Sequence, residues 1–227
     1  MQRLPDAFHP LVTKRITYGQ KVTKTNFNPI TNKVTLSYKG SFKDKTFKEE
    51  EFDYAVIAAP FSVIRGWRIS PTLPSLIGRA IKQMPYASAC KIALHFKTRF
   101  WEHLEKPIYG GCDSSDLPVI GSWCYPSYNL NGTGPGVLLA HYSSGDGINY
   151  ALSMSPEEHV QYILDLHKEI YGEKLIEREY TGKWNRQCWL LDEFTKGAWA
   201  DPEVGQHALW IPEYFKTVNN VSFLSIF

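Results

Sequence analysis

The sequence predicts a mixed α and β fold in which strands and helices do not alternate regularly. Three stretches carry that expectation. Residues 155–173, "SPEEHVQYILDLHKEIYGE", read as an amphipathic helix with Val160, Ile163, Leu164, His167 and Ile170 on one face. Residues 88–101, "SACKIALHFKTRFW", alternate like a strand, with Cys90, Ile92, Leu94 and Phe96 on one side and Lys91, Ala93 and His95 on the other. Residues 52–60, "FDYAVIAAP", form a near-continuous apolar run of strand length, as in a strand covered on both faces.

The remaining elements follow in chain order. Residues 2–9 suit a short helix closed by Pro10. "KVTKTNFNPITNKVTLSYKG" reads as strand, turn, strand, with Asn28, Pro29, Thr31 and Asn32 supplying the turn. "SFKDKTFKEEE" is a charged hairpin tip. "PTLPSLIGRAIKQM" places Leu76, Ile77, Ala80, Ile81 and Met84 on one helical face. The turn-rich "GGCDSSDLPVIGSWCYPSYNLNGTGPG" holds a strand around residues 119–125, and "VLLAHYS" is another. The 155–173 helix carries its own boundaries: Ser155 as cap, Pro156 in the first turn, Glu158 completing a capping box and Gly172 as the stop. A short strand is expected at 207–211.

The 227 residues allow one or two domains, and 43% hydrophobic with 21% charged residues is an ordinary globular balance. A net charge of +2 makes no electrostatic case for nucleic acid. No apolar run is long enough for a membrane span, and no secretory signal opens the chain. Cys90, Cys112, Cys124 and Cys188 stand at no paired spacing, and neither CxxC nor HExxH occurs. No metal site is therefore expected and nothing requires disulfides, which fits a reducing compartment. "GTGPGVLL" superficially resembles a dinucleotide loop, but its glycines precede a strand instead of opening a helix, so it reads as a loop. Asp113, Asp116, Asp192 and Glu193 are ordinary turn acids. Taken singly, Lys91 is a solvated sheet residue, Trp189 and Trp199 are core or interface residues, and Tyr125 is a packed turn aromatic.

Their joint pattern resembles the flavin-containing amine oxidases, and within them the L-amino acid oxidases of fungi and bacteria. The resemblance covers nearly the whole chain. "MQRLPDAF", "YGQKVTKTNF…KVTLSY" and "FDYAVIAAPFSVIRGWRISPTLP" resemble segments of the family's flavin domain and its exit. "ACKIALHFKTRFW" resembles the strand bearing the family's lysine. "GGCDSSDLPVIGSWCYPSYN" is similar to the GG-x-S-x-TDLP-…-YPS segment, the match most specific to the amino acid oxidase branch. "WLLDEFTKGAW" resembles the segment that returns to the flavin.

The resemblance implies part of a Rossmann-like FAD domain joined to a mixed-sheet-plus-helices substrate domain. Residues 1–67 would belong to the FAD domain, 68–188 to the substrate domain and 189–227 to the return. It assigns Lys91 a water held against the flavin N5, Trp189 a place beside the isoalloxazine ring, and Trp199 one wall of the substrate cage. Tyr125 would bind the substrate carboxylate, and the backbone of Val22 would meet the adenine. The implied reaction is hydride transfer from the Cα of an L-amino acid to FAD, giving keto acid, ammonia and hydrogen peroxide with molecular oxygen as oxidant. The alternatives are a monoamine or polyamine oxidase and a non-catalytic binding module. Neither the GxGxxG segment nor the family's carboxylate-clamping arginine is found, and the glycine-acid pair expected beyond "NNVSFLSIF" is missing. The expectation is therefore a fragment that needs the N-terminal half of the oxidase and is inactive alone. Compartment is left open, with the cytoplasm as default.

Overall fold

The computed structural model describes residues 3–40, 43–145 and 147–224. Residue 2 of the expected first helix, and residues 41 and 42 of the charged tip, lie outside the described residues. In chain order the elements are α1 (Arg3–Val12), β1 (Lys21–Asn28), β2 (Lys33–Lys39), β3 (Lys48–Phe52), β4 (Ala55–Ile57), α2 (Phe61–Ile64), β5 (Arg68–Ser70) and α3 (Ser75–Gln83). They continue with β6 (Tyr86–Ala87), β7 (Ala89–Phe96), β8 (Cys112–Ser114), β9 (Ser122–Cys124), β10 (Gly136–Ser144), α4 (Gly147–Leu152), α5 (Pro156–Tyr171) and α6 (Glu173–Glu179). The last are β11 (Tyr180–Cys188), β12 (Trp199–Ala200), α7 (Gln206–Tyr214), β13 (Thr217–Val218) and β14 (Val221–Phe223). No helix among the described residues is long and apolar enough to cross a membrane.

The chain divides into two compact units, one of residues up to Gln83 together with those from Val204, the other Met84–Glu203. The first holds a sheet of order β3-β2-β1-β5, in which β5 runs parallel to β1, and a smaller sheet β13-β14-β4. Phe61, Ile64, Ile77, Ala80, Ile81, Trp210 and Tyr214 are buried there where α3 packs on α2 and α7.

Several expectations change in this unit. The first helix runs through Pro10 to Val12 with no buried residue: about two turns precede the proline, and only one ladder bond is lost near the helix end. Residues 48–51 of the charged tip, together with Phe52, form β3, paired with β2 from Val34↔Phe52 to Tyr38↔Lys48. The 52–60 run is not one doubly covered strand. Phe52 ends β3, while β4 is three residues long with Val56 exposed, and it lies in a different sheet from β2. The apolar segment at 207–211 is helical, not a strand: α7 buries Trp210 and Tyr214, four residues apart, on one face. A short apolar run does not distinguish the two states by periodicity, and its burial against α3 decided.

The second unit is an antiparallel five-stranded sheet of order β11-β7-β10-β9-β8 with α5 across one face, plus the small pair β6–β12. Ile92, Leu94, Phe96, Leu138 and Ala140 from the sheet meet Val160, Ile163 and Leu164 from α5 in one core. Both halves of the capping box form at Ser155 and Glu158, and Gly172 ends the helix at φ 91. Gly136, in the glycine-rich run, admits Trp101: a Cβ there would stand 2.5 Å from the indole. Arg99 and Glu102 form a buried ion pair, and the Glu102 carboxylate also accepts from Asn131 N at 2.8 Å. All four cysteines are paired, as Cys90–Cys188 and Cys112–Cys124, which corrects the sequence reading. Each pair lies directly opposite across neighbouring strands, a proximity that sequence spacing does not reveal.

Candidate functional site

Lys91 lies on β7, opposite Tyr142 of β10 on one side and Gln187 of β11 on the other. Strand alternation turns it away from the face that carries Ile92 and Leu94 into the core. Its ammonium stands 5.6 Å from the Tyr142 ring centroid and 5.9 Å from that of Trp189, within cation–π range of both. Next along the same face comes the small Ala93, between Leu139 and Asn185 of the neighbouring strands. The result is a cation near two aromatic rings, next to a small residue of its own strand.

Tyr142 reaches this face through a β-bulge. The β10–β7 register shifts between Leu139 and His141, and Leu138, Ala140 and His141 are all fully buried. Two consecutive residues thus face the core, and Tyr142 swings to the side of Lys91. Plain alternation along "VLLAHYS" would have set Tyr142 with Leu138 and Ala140, away from Lys91. This residue was not singled out in the sequence, because nothing in that run marks the bulge.

Trp189 starts the turn that follows β11. Its carbonyl accepts from Gly197 N at 3.1 Å and from the Thr195 hydroxyl at 2.9 Å, closing the 189–197 loop. Trp199 pairs with Ala87 in the β6–β12 ribbon, outside the five-stranded sheet, and is 39% exposed. Val22 lies in the other unit, on β1 opposite Tyr38. It borders a cavity of about 330 Å³ lined by Leu36, Tyr54, Ala58 and Trp67.

Tyr125 is buried in the core with Ile92 and Leu94, on the face of the sheet opposite Lys91. Its hydroxyl donates to Asp113 at 2.8 Å, accepts from Trp123 Nε1 at 2.9 Å and touches the Tyr171 hydroxyl. Burial first, and then Tyr171, push this phenol far above its usual range. It stays protonated, and its single hydrogen is already given to Asp113. These contacts tie the β8–β9 hairpin to α5 through the Tyr125 hydroxyl.

Under the bulge three buried imidazoles gather. His141 donates from Nδ1 to Ile120 O at 2.8 Å, His167 from Nε2 to Ala140 O at 2.8 Å, and His159 Nδ1 accepts from Arg186 Nε at 3.0 Å. Burial lowers all three, with His159 and His167 brought to about 4. His141 and His159 face each other at 4.9 Å, and His141 disfavours charge on both His159 and His167. They are core residues held neutral at neutral pH.

The family model for flavin containing amine oxidoreductases matches residues 1–224. The chain is 52% identical over 231 aligned residues to an L-amino-acid oxidase of Neurospora crassa, covering 99% of this chain and 33% of that protein. It is 33% identical to a putative L-amino-acid oxidase of Bacillus subtilis, covering 86% of this chain and 41% of that protein. It thus spans well under half the length of the curated relatives it matches. Among solved structures, a redesigned putrescine oxidase superposes with TM-score 0.75 at 16% identity, over 98% of this chain and 46% of the other, which shows a shared fold. With a family match running from α1 to the end of β14, the chain belongs to the flavin-containing amine oxidoreductases.

Proposed function

We propose that this chain is the part of an FAD-dependent L-amino acid oxidase that presents Lys91, Trp189 and Tyr142 to the flavin ring and the substrate. The observation that carries the reading is the cross-strand group on the open face of β7, an ammonium near two aromatic rings beside the small Ala93. The names of the Neurospora and Bacillus relatives support an amino acid as substrate. Bound FAD would take a hydride from the substrate Cα and pass the electrons to oxygen as hydrogen peroxide, leaving an imino acid that hydrolyses to keto acid and ammonia.

The residues fit such a group in two places. Ala93 leaves space for a flat ring beside Lys91 and Trp189, and the apolar cavity bordered by Val22 suits an adenine. Lys91 Nζ holds a water and offers positive charge where negative charge develops. The Trp189 indole covers the ring and excludes bulk water. The Tyr142 hydroxyl donates to the substrate carboxylate, the part first expected of Tyr125. Trp199 supplies an aromatic wall. In this reading Met84–Glu203 is the substrate side and the remainder the flavin side.

The test is peroxide release by the oxidase carrying this chain, with L-leucine and with putrescine as substrates. The expected result is turnover of L-leucine alone, with Lys91→Met slowing reoxidation of the reduced enzyme by about 100-fold, the usual scale for one lost electrostatic donor. Turnover of putrescine with L-amino acids inert would assign the site to amines instead.

A further inference from the structure

We propose that the Cys90–Cys188 disulfide is a positioning staple that holds the Trp189 indole over the Lys91 ammonium. The proposal rests on the reading of those two residues as the flavin-facing pair. Cys90 and Cys188 are opposite one another in the β7–β11 register, 98 residues apart in sequence. Lys91 follows the first and Trp189 the second, so one covalent bond joins the two backbones one residue before each member of the pair.

The need for such a bond follows from the sheet. β11 is an edge strand, and a register shift between Tyr180 and Trp184 limits its regular pairing with β7 to the stretch from Trp184 to Cys188. Lys91 has a ladder neighbour on each side, but Trp189 lies just past the end of β11 and is opposite no residue of β7. Ends of edge strands are where pairing opens most readily. The Trp189 carbonyl is tied to its own turn, and the far end of that turn is anchored to β6 through Ala198 N to Ala87 O at 2.7 Å and Asp201 N to Pro85 O at 2.9 Å, so the end to be fixed against β7 is the one at Cys188 and Trp189. The staple fixes that end to β7. Cys90 is fully buried and Cys188 is 5% exposed, packed with Ile148 and Ala151 of α4, so the bond sits in the core while its two neighbours face outward. The other disulfide, Cys112–Cys124, ties the hairpin at the opposite edge of the sheet and touches neither residue of the pair, which makes it the internal control.

The experiment reads the shift that the Trp189 ring current imposes on the Lys91 ε-methylene protons, by 1H–13C NMR of the 227-residue chain labelled at lysine. Loss of the signal in Lys91→Arg assigns it, and its return to the position of the other lysines in Trp189→Phe proves the source. The expected result is a shifted signal that collapses in Cys90→Ala/Cys188→Ala and persists in Cys112→Ala/Cys124→Ala, with core methyl signals intact in both. A shift unchanged in Cys90→Ala/Cys188→Ala, or lost equally in the control, would overturn the proposal. If that variant does not fold, Cys90→Ala/Cys188→Val refills the site and is read in the same way; failure of both to fold would make the bond a folding requirement and overturn a positioning role. The readout needs neither flavin nor turnover. An oxidase that releases no peroxide while the shift depends on the staple would count against the proposed function and leave the staple standing.

Discussion

Tyr142 and Tyr125 make opposite demands on a hydroxyl. Tyr142 shares the open face with Lys91, whereas the Tyr125 hydrogen is already given to Asp113 of the edge strand β8. Tyr142→Phe should raise KM for an L-amino acid by about tenfold with a smaller effect on kcat, the scale of one hydrogen bond to a charged group. Tyr125→Phe should leave KM unchanged and lower stability by about 1 to 2 kcal/mol, read by urea unfolding, because Asp113 loses its donor and Trp123 keeps only Tyr171. The reverse pattern would return the carboxylate role to Tyr125.

Helix α5 carries both the best-marked boundary in the chain and two of the three buried imidazoles. Ser155→Ala removes the acceptor for Glu158 N and should cost about 1 kcal/mol in thermal or urea unfolding. The imidazoles make the unit acid-sensitive. His159 and His167 titrate near 4 when folded and His141 is also lowered, while an unfolded histidine titrates near 6.5. Between those values the unfolded chain binds more protons, so stability is full above about 6.5 and declines as pH falls toward 4, by about 1 kcal/mol per unit for each of His159 and His167, with His141 acting in the same direction. The groups facing the cluster do not offset this, since Arg186 opposes charging of His159 and His141, and Glu157 acts on Arg186. Urea midpoints at pH 7 and pH 5 check it, and His159→Gln should flatten the dependence.

As one polypeptide, the chain carries a ring-facing group in one unit and the Val22 cavity in the other. No GxGxxG segment occurs in these 227 residues, so they supply no such cradle for the pyrophosphate of FAD. Purified alone, mixed with FAD and desalted, the chain should retain no visible flavin absorbance. Retained flavin would mean that Lys91, Trp189 and the Val22 cavity suffice for binding.

The parts legible in the sequence are those set by neighbours a few residues apart. The α5 boundaries needed only Ser155, Pro156, Glu158 and Gly172, and the two faces of β7 followed from alternation through Lys91. The family was also legible, because it rests on residue types in order along the chain. What the tertiary structure decided depends on residues far apart in sequence. The cysteine pairing joins positions 98 and 12 apart that are adjacent only across strands. The helix at Gln206–Tyr214 took its form from packing on α3, since its short apolar run fits either period. Tyr142 joined Lys91 because a bulge at Ala140, set by pairing with β7, reversed the side on which every later residue of β10 falls. Alternation in a strand is local, but the phase of that alternation belongs to the sheet.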